Sequence, residues 1–155
     1  MNKLIESIKE HEGYVGVVYK DSLGIDTIGY GFAIKDLELD ADICDIILER
    51  KVKELKSRIK IKFDWYKYMP PEIQDVVVEM CYKLGVYGFS CFKKTISYLQ
   101  DKKWEEASIE MLDSRWAEQT PRRASEMSEK VKGMLNGNKK IQRRKAFKAN
   151  RKTKS

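Results

Sequence analysis

The N-terminal part of the chain combines a helical and a strand-like pattern of apolar side chains. Leu4, Ile5 and Ile8 recur on one face at helical spacing and are separated by charged residues. Tyr14 to Tyr19 is rich in β-branched and aromatic residues, which predicts a strand, and Ile25 to Phe32 is predicted to return as a second strand. The pattern therefore predicts a short helix followed by a β-hairpin.

The segment between the two predicted strands carries the signals of a tight turn. It reads Ser22-Leu23-Gly24, and Gly24 can adopt the positive φ that such turns often need. Because side chains alternate along a strand, Thr27, Gly29 and Gly31 are predicted to share one face of the second strand. The apolar side chains up to Phe32 share the other face, which we expect to be buried. The glycine pair indicates that another group approaches the backbone closely.

After about residue 40 the pattern is helical. A long helix is predicted to run to about Arg58, with Asp40 or Asp42 as its cap. The segment 59–63 alternates like a strand, so the end of this helix stays open. Pro70-Pro71 marks the start of the next helix. Further helices are predicted for 72–84, ended by Gly85 and Gly88, and for 94–99 and 104–112. A small hairpin followed by helices predicts an α+β fold.

Two acidic residues and a hydroxyl group flank the hairpin. Glu12 ends the first helix, Asp21 lies where the first strand breaks into the turn, and Thr27 lies early in the second strand. Asp21 and Thr27 could hold one water molecule between them, and Glu12 could face it across a gap. Two carboxylates with a positioned water are the apparatus of glycoside hydrolysis. Taken singly, each residue is better explained as part of an ordinary hairpin, because aspartate is common beside turns and threonine is common in strands.

The spacing of these residues changes that balance. Eight residues separate Glu12 from Asp21, five separate Asp21 from Thr27, and the segment Ile28-Gly29-Tyr30-Gly31 follows. This pattern resembles that of the phage-type lysozymes, endolysins of glycoside hydrolase family 24. A second segment, from Ser114 to Ala124, also resembles this family through SRW and QTP-x-RA, with Thr120 and Pro121 opening a helix. The resemblance covers about residues 1–135.

The resemblance implies a particular architecture. It predicts a lysozyme-like α+β fold in which a small β-hairpin lobe is joined by a long helix to a larger helical lobe, with a cleft between the lobes. The predicted catalytic domain covers 1–135, with lobes at about 1–40 and 60–135 and the linking helix at about 40–59. A basic tail, 136–155, follows.

The resemblance also implies an activity, hydrolysis of the β-1,4 bond between N-acetylmuramic acid and N-acetylglucosamine in peptidoglycan. Glu12 would be the general acid. Asp21 would activate water or stabilise the oxocarbenium-like transition state, and Thr27 would help to hold that water. The family pattern implies inversion, but the residues themselves leave inversion and retention open, because the carboxyl separation decides between them.

Further family positions carry over to residues outside the acid pair. Positions that bind sugar in the family fall on Ala33, Tyr82 and Thr95, and Arg123 matches an arginine that lies beside the catalytic glutamate. A position that is commonly an amide falls on Glu110, which puts that contact in doubt. No cofactor is expected.

The last twenty residues account for the basic character of the chain. Residues 136–155 carry nine Lys or Arg and no acidic residue, whereas the whole chain has 31 basic and 24 acidic residues and a net charge of +7. Without the tail, 22 basic and 24 acidic residues remain, a net charge of −2. Little apolar material predicts a disordered or only partly helical tail. It is either a solvated tail or, as we favour, a segment attracted to polyanions such as lipopolysaccharide, phospholipid, wall acids or nucleic acid.

The remaining composition excludes several classes of protein. The odd number of cysteines, Cys44, Cys81 and Cys91, without a CxxC pair, predicts buried reduced thiols rather than a disulfide framework. A single histidine, His11, and no ligand cluster argue against a metal site. No signal peptide or transmembrane segment is predicted. We expect a monomer without an obligate protein partner, held in the host cytoplasm until lysis.

Two other functions stay open from the sequence. A lytic transglycosylase would cleave the same bonds and form an anhydro sugar without a catalytic water. A non-enzymatic protein could instead use the cleft or the basic tail to hold cell wall or nucleic acid. The presence of Asp21 and Thr27 beside Glu12 favours hydrolysis over both.

Overall fold

The computed structural model describes residues 2–152 of the 155-residue chain, apart from the side chains of residues 138, 139 and 152. The last three residues of the basic tail lie outside the described residues. The chain contains two compact units, Met1–Leu48 and Glu49–Ser155.

The first unit begins with a helix, α1, at Lys3–Glu12. The side chain of Asn2 starts it by accepting a hydrogen bond from the Leu4 N–H at 2.9 Å. Gly13 ends it with a φ of +71°, and its N–H donates to the Lys9 carbonyl at 2.9 Å. The predicted first helix is therefore confirmed, with its last glutamate at the helix end.

A three-stranded antiparallel sheet follows α1. Its strands are β1 (Val15–Lys20), β2 (Asp26–Gly29) and β3 (Phe32–Ala33), in the order β1-β2-β3. The register of β1 against β2 shifts between Val15 and Tyr19, which marks an irregularity in the ladder. The predicted hairpin is confirmed, and a third short strand extends it.

The predicted second strand, Ile25 to Phe32, is wrong in its length. The chain turns at Tyr30 and Gly31 before it returns as β3. The cause lies in the backbone, because Gly29 and Gly31 have φ values of +70° and +76°. A regular strand contains only negative φ values, so the strand cannot continue through these glycines.

The predicted faces of this strand are also wrong. Thr27, expected on a bare face, is only 3% exposed, whereas Phe32, expected in the core, is 48% exposed. The two positive φ values rotate the chain out of the simple alternation, so the face of Thr27 no longer predicts the faces of the glycines.

The second helix, α2 (Ala41–Lys62), begins in the first unit and continues into the second. The strand-like alternation of 59–63 therefore belongs mostly to a helix. Ile59 is fully buried and Ile61 is 84% exposed. Residues two apart lie on nearly opposite sides of a helix, which explains why a helical segment can imitate a strand pattern.

The second unit is helical. Besides the C-terminal part of α2 it contains α3 (Pro71–Ser90), α4 (Lys93–Gln100), α5 (Trp104–Leu112), α6 (Arg115–Gln119) and α7 (Pro121–Lys152). The predicted break at Gly85 is confirmed, since its φ of +78° and ψ of 161° interrupt α3. Gly88 lies inside the helical segment that follows, so the prediction that it ends the helix is wrong.

The core of the second unit is apolar and aromatic. Ile59, Ile73, Met80 and Phe89 are fully buried in it. The ring of Phe89 packs edge-on against that of Phe63, with a centroid distance of 5.4 Å and an interplanar angle of 86°. These contacts hold the helices together and leave the polar faces of α3 and α5 outward.

The last helix, α7, begins at Pro121 as predicted. Thr120, predicted to open this helix together with Pro121, does not use its side chain to cap it, because its hydroxyl donates to the Trp116 carbonyl at 2.8 Å. The helix continues without interruption through the basic segment to Lys152. The prediction of a disordered or only partly helical tail is therefore wrong for residues 136–152, which continue the helix.

The cysteines differ in their surroundings. All three are free, and Cys81 is buried, as predicted, whereas Cys44 and Cys91 are exposed, contrary to the prediction. Among residues 2–152, no group of three or more His, Cys, Asp or Glu side chains is placed to hold a metal ion. Nor does any helix in this range combine the length and the apolar character that crossing a membrane requires.

Candidate active site

Glu12 is presented at the end of α1 with its side chain exposed. Its carboxylate lies against Gly31, in the turn between β2 and β3. A Cβ atom at Gly31 would stand 2.5 Å from Oε2 and 3.1 Å from Cδ of Glu12. The structure therefore brings the C-terminal end of α1 to the far turn of the sheet.

Asp21 is fixed by the turn that follows β1. Its Oδ1 atom accepts hydrogen bonds from the N–H groups of Leu23 and Ile25, both at 2.8 Å. The backbone N–H of Asp21 donates to the Ile25 carbonyl at 3.0 Å, and the Gly24 N–H donates to the Asp21 carbonyl at 3.0 Å. This is the side-chain turn chemistry that aspartate favours, and it locks the carboxylate orientation.

Thr27 is the buried hydroxyl of β2. Its Oγ1 donates to the Ile25 carbonyl at 2.9 Å. The strand pairing places Thr27 opposite Tyr19 on β1 and opposite Ala33 on β3. Ala33, a predicted sugar-binding residue, is thus a direct cross-strand neighbour of Thr27.

Ile25 connects the two residues on either side of it. Its N–H is bound by the Asp21 carboxylate and its carbonyl by the Thr27 hydroxyl. The sequence predicted that Asp21 and Thr27 flank one turn, and the structure shows that one residue's peptide groups hold both. Glu12, Asp21 and Thr27 therefore all belong to the first unit, and their catalytic roles stay predictions.

An ion pair joins the two strands of the hairpin next to its turn. Lys20 Nζ lies 2.7 Å from Asp26 Oδ1, and both side chains are exposed. The two residues are cross-strand partners and are the direct neighbours of Asp21 and Thr27 along the chain. Opposite charges at paired positions support the register of a sheet. The sequence analysis missed this pair, although Lys20 and Asp26 bracket the turn symmetrically.

Tyr82 lies in a hollow of the second unit. The hollow has a volume of about 320 Å³ and is also lined by Lys51, Glu54, Leu55, Arg58, Cys81 and Gly85. Tyr82 itself is 49% exposed, so its ring is available as a platform. Burial raises the pKa of the neighbouring Cys81 thiol to about 12, partly opposed by the charge of Arg58. This thiol is therefore protonated and inert near neutral pH.

Thr95 and Glu110 line a second hollow of the same unit, of about 350 Å³. Thr95 is 1% exposed at the start of α4. Lys93 and Lys94 lie on the same rim, together with Asp113. The predicted sugar contact Thr95 and the departing position Glu110 are thus neighbours, and their role in binding stays a prediction.

Arg123 is paired within the second unit. Its Nε atom lies 3.7 Å from Oε2 of Glu79 on α3, and both side chains are partly exposed. Exposed pairs at this distance contribute little to stability. The sequence analysis did not predict this partner. The predicted place of Arg123 beside Glu12 stays a prediction.

The arrangement of a small N-terminal antiparallel sheet and a mainly helical remainder defines the class of lysozyme-like α+β proteins. Within that class, the model of the phage lysozyme family matches residues 9–146, and the chain belongs to this family. The match confirms the resemblance seen in the sequence and reaches beyond Leu135 into the basic segment. The protein is accordingly a lysozyme-type glycosidase.

Two curated proteins of Dictyostelium discoideum are similar to this chain. "Probable T4-type lysozyme 2" is 24% identical over 154 residues, covering 81% of this chain and 91% of that protein. "Probable T4-type lysozyme 1" is 24% identical over 168 residues, covering 88% of this chain and 98% of that protein. These relatives therefore extend over nearly the same length as the chain.

Proposed function

We propose that the protein is a muramidase that hydrolyses the β-1,4 bond between N-acetylmuramic acid and N-acetylglucosamine of peptidoglycan. Membership of the phage lysozyme family supports this substrate class. The observation that carries the proposal is the shared anchoring of Asp21 and Thr27 by Ile25, together with the exposed Glu12 on the same unit. One unit thereby holds a candidate acid and a candidate water site.

The hydrogen bonds suggest how the water is oriented. Both hydrogen bonds of the Asp21 side chain are accepted by Oδ1, so Oδ2 has no hydrogen-bond partner among the described residues. The Thr27 hydroxyl donates its proton to the Ile25 carbonyl, so it can only accept a hydrogen bond from a water molecule. A water that donates one proton to Asp21 Oδ2 and the other to Thr27 Oγ1 keeps a lone pair for attack on the sugar.

Glu12 supplies the proton in this mechanism. As the water attacks, the bond to the leaving oxygen breaks, and Glu12 donates its proton to that oxygen. Asp21 accepts the proton that the water loses. General acid–base assistance of this kind contributes roughly 10²- to 10⁴-fold to the rate. In the proposed mechanism the water attacks the sugar from the side opposite to the acid, which would give a product of inverted anomeric configuration, as the family resemblance implies.

The hydrolase is favoured over the lytic transglycosylase by the same hydrogen bonds. A transglycosylase uses an oxygen of the sugar itself as nucleophile and has no use for a paired Asp21 and Thr27. Product mass separates the two reactions, since the anhydro product is lighter by one water. An anhydro product from the purified protein would replace the hydrolase proposal.

The test is clearance of purified peptidoglycan by the wild type, Glu12→Gln and Glu10→Gln. The two substitutions make the same chemical change on the same helix, and only the first removes the proposed acid. We expect Glu12→Gln to lose at least about 100-fold of the activity. Equal clearing by Glu12→Gln and the wild type, or no clearing by any of the three, would refute the proposed reaction.

We further propose that the protein acts as an endolysin, released onto the wall from the host cytoplasm by a separate pore. The family supports this setting. The two amoebal relatives show that this type of lysozyme sequence also occurs outside phages. Expression in the bacterial cytoplasm should cause lysis only when the inner membrane is permeabilised. Lysis without permeabilisation would contradict the dependence on a separate pore.

We also propose that the C-terminal part of α7, residues 136–152, attaches the enzyme to an anionic lipid surface, either phospholipid or lipopolysaccharide. All side chains from Lys140 to Arg151 are exposed, and none is acidic. Ile141 and Phe147 add apolar area, at 53% and 63% exposure. Exposed apolar residues on a basic helix favour a lipid surface over nucleic acid, because they can enter the headgroup region.

The test keeps the whole chain and compares two variants of equal net charge. One variant changes four tail residues to Gln: Arg143, Arg144, Lys145 and Lys148. The control changes four exposed lysines of α2 to Gln: Lys53, Lys56, Lys60 and Lys62. Binding to phosphatidylglycerol vesicles and to lipopolysaccharide should fall strongly only in the tail variant, and the wild-type binding should weaken with salt. Equal loss in both variants would show that net charge, rather than the helix, causes the attraction.

A further inference from the structure

The proposed catalytic acid lies against a residue that has no side chain. Glu12 is exposed at the end of α1, and a glutamate in that position has several rotamers open to it. Its carboxylate nevertheless lies directly beside Gly31. A Cβ atom added at Gly31 would stand only 2.5 Å from Oε2 of Glu12. Any other residue at position 31 would therefore compete with this carboxylate for the same volume.

We propose that Gly31 is a positioning residue that seats the Glu12 carboxylate for proton donation. The inference rests on the proposed role of Glu12 as the acid. Gly31 makes the seat in two ways, by leaving out the side chain and by holding a φ of +76° that turns the chain from β2 into β3.

The turn also relates the seat to the proposed water site. The pairs that follow it are Ile28 with Phe32 and Thr27 with Ala33. Gly31 is therefore tied through two successive strand pairs to the buried hydroxyl that is proposed to hold the water. The contact with Gly31 thus places Glu12 relative to Thr27 through backbone hydrogen bonds rather than through flexible side chains.

Another glycine of the same hairpin provides a natural control. Gly29 has a similar φ of +70°, but a Cβ there would meet the ring of Phe32, 2.8 Å from its Cδ2 atom, and not Glu12. An alanine at either position carries the same kind of backbone strain, because L residues rarely adopt positive φ. The two positions therefore share the backbone strain and differ in the neighbour that is displaced, an aromatic ring at Gly29 and a flexible carboxylate at Gly31.

The consequences for stability and for activity separate on physical grounds. The Glu12 carboxylate is the far end of a flexible side chain, so it can swing away from a new Cβ at little cost to the fold. The displacement needed is several tenths of an ångström or more. A misplacement of about 1 Å at a catalytic group can cost about 100-fold in rate. The displacement of Glu12 should therefore lower turnover, whereas the backbone strain accounts for the loss of stability.

The experiment measures kcat and KM on soluble peptidoglycan fragments and the thermal midpoint for Gly31→Ala and Gly29→Ala. We expect both variants to lose thermal stability through backbone strain, and Gly31→Ala to lose no more than Gly29→Ala. Gly31→Ala should lose about 100-fold in kcat with KM nearly unchanged, whereas Gly29→Ala should lose less than about 10-fold. Gly31→Asn and Gly29→Asn repeat the comparison with a residue that tolerates positive φ, in case an alanine variant does not fold.

Equal kcat losses at the two positions would refute the positioning role of Gly31, because backbone strain alone would then explain both losses. A loss confined to KM would also overturn it. Failure of the proposed function is recognised separately, since Glu12→Gln would then clear peptidoglycan as the wild type does. In that case the seat has no catalytic group to position.

Discussion

The two units of the molecule are held in shape by different forces. In the first unit, Thr27 is the one described residue that is buried, and turns, hydrogen bonds to Ile25 and an ion pair define the hairpin. In the second unit, an apolar core from Leu55 to Val131 binds the helices together. The proposed chemistry therefore lies in the unit whose shape depends on backbone geometry, whereas most of the stability comes from the buried core of the other unit.

The sharpest separation should come from Asp21→Asn. The amide oxygen can still accept the N–H groups of Leu23 and Ile25, so the turn should survive. The amide cannot take a proton from water, and activity should fall by about 10²- to 10⁴-fold. Turbidity assays and thermal unfolding measure the two effects. Asp26→Asn is the matched control in the same hairpin. An equal loss of activity there would show that damage to the sheet, rather than loss of the proton acceptor Asp21, lowers the activity.

The reverse behaviour is expected for the core of the second unit. Phe89→Ala should lower the free energy of unfolding by about 3–5 kcal/mol, because it empties a fully enclosed site. Phe32→Ala, the same change in the first unit at a half-exposed ring, should cost about 1 kcal/mol. Urea unfolding measures both. Similar costs at the two positions would remove the contrast between the units.

A smaller effect is expected where burial and proposed chemistry coincide. Thr27→Val keeps the shape of the side chain but removes the hydrogen bond to the Ile25 carbonyl. We expect a loss of about 1 kcal/mol in stability and about 10-fold in activity. Thr27→Ser keeps the hydroxyl and should retain more of both. If valine and serine variants behave alike, the hydroxyl does not hold the water.

The smallest effect concerns the thiols. Exposed Cys44 and Cys91 should react with a disulfide reagent in the folded protein, whereas Cys81 should react only on unfolding. With a pKa of about 12, the thiolate fraction of Cys81 at pH 8 is on the order of 10⁻⁴. Three Cys→Ser variants assign the reacting groups. Three equally fast thiols in the folded protein would contradict the burial of Cys81.

The raised pKa of Cys81 also makes the stability of the protein depend on pH in a definite direction. The folded state holds the proton more tightly than the unfolded state, whose thiol titrates near 9. The contribution of this proton to stability is therefore fully present below about pH 9 and is lost as the pH rises towards 12. Burial and the charge of Asp75 raise the pKa of Tyr66 as well, with the same sign. Cys81→Ala should reduce this alkaline slope without abolishing it.

The sequence predicted the elements whose signals are local. α1, the turn at Gly24, the break at Gly85 and the start of α7 at Pro121 all follow from capping, glycine and proline chemistry. Predictions failed where a pattern had two physical causes. The alternation at 59–63 fits a strand or a helix edge, and only the burial of Ile59 in the core decides between them.

The candidate site was predicted in its residues but not in its connections. Spacing indicated Glu12, Asp21 and Thr27, yet no local rule shows that Ile25 anchors two of them or that Gly31 faces the third. Such contacts depend on the register of β2 and β3, which the glycine conformations shift. The Arg123 partner Glu79 was missed for a related reason, since exposed charges choose partners through tertiary placement.

The anchoring through Ile25 limits how the loop can be altered in design. Asp21 reaches forward four residues to the N–H of Ile25, and Thr27 reaches back two residues to the carbonyl of the same residue. Adding or deleting one amino acid between Asp21 and Thr27 would change the spacing of one of these two hydrogen bonds, and with it the distance along the chain between the two side chains. Libraries that vary loop length should therefore open the chain elsewhere, for example in the segment 37–40 before α2, and treat 21–27 as one indivisible cassette.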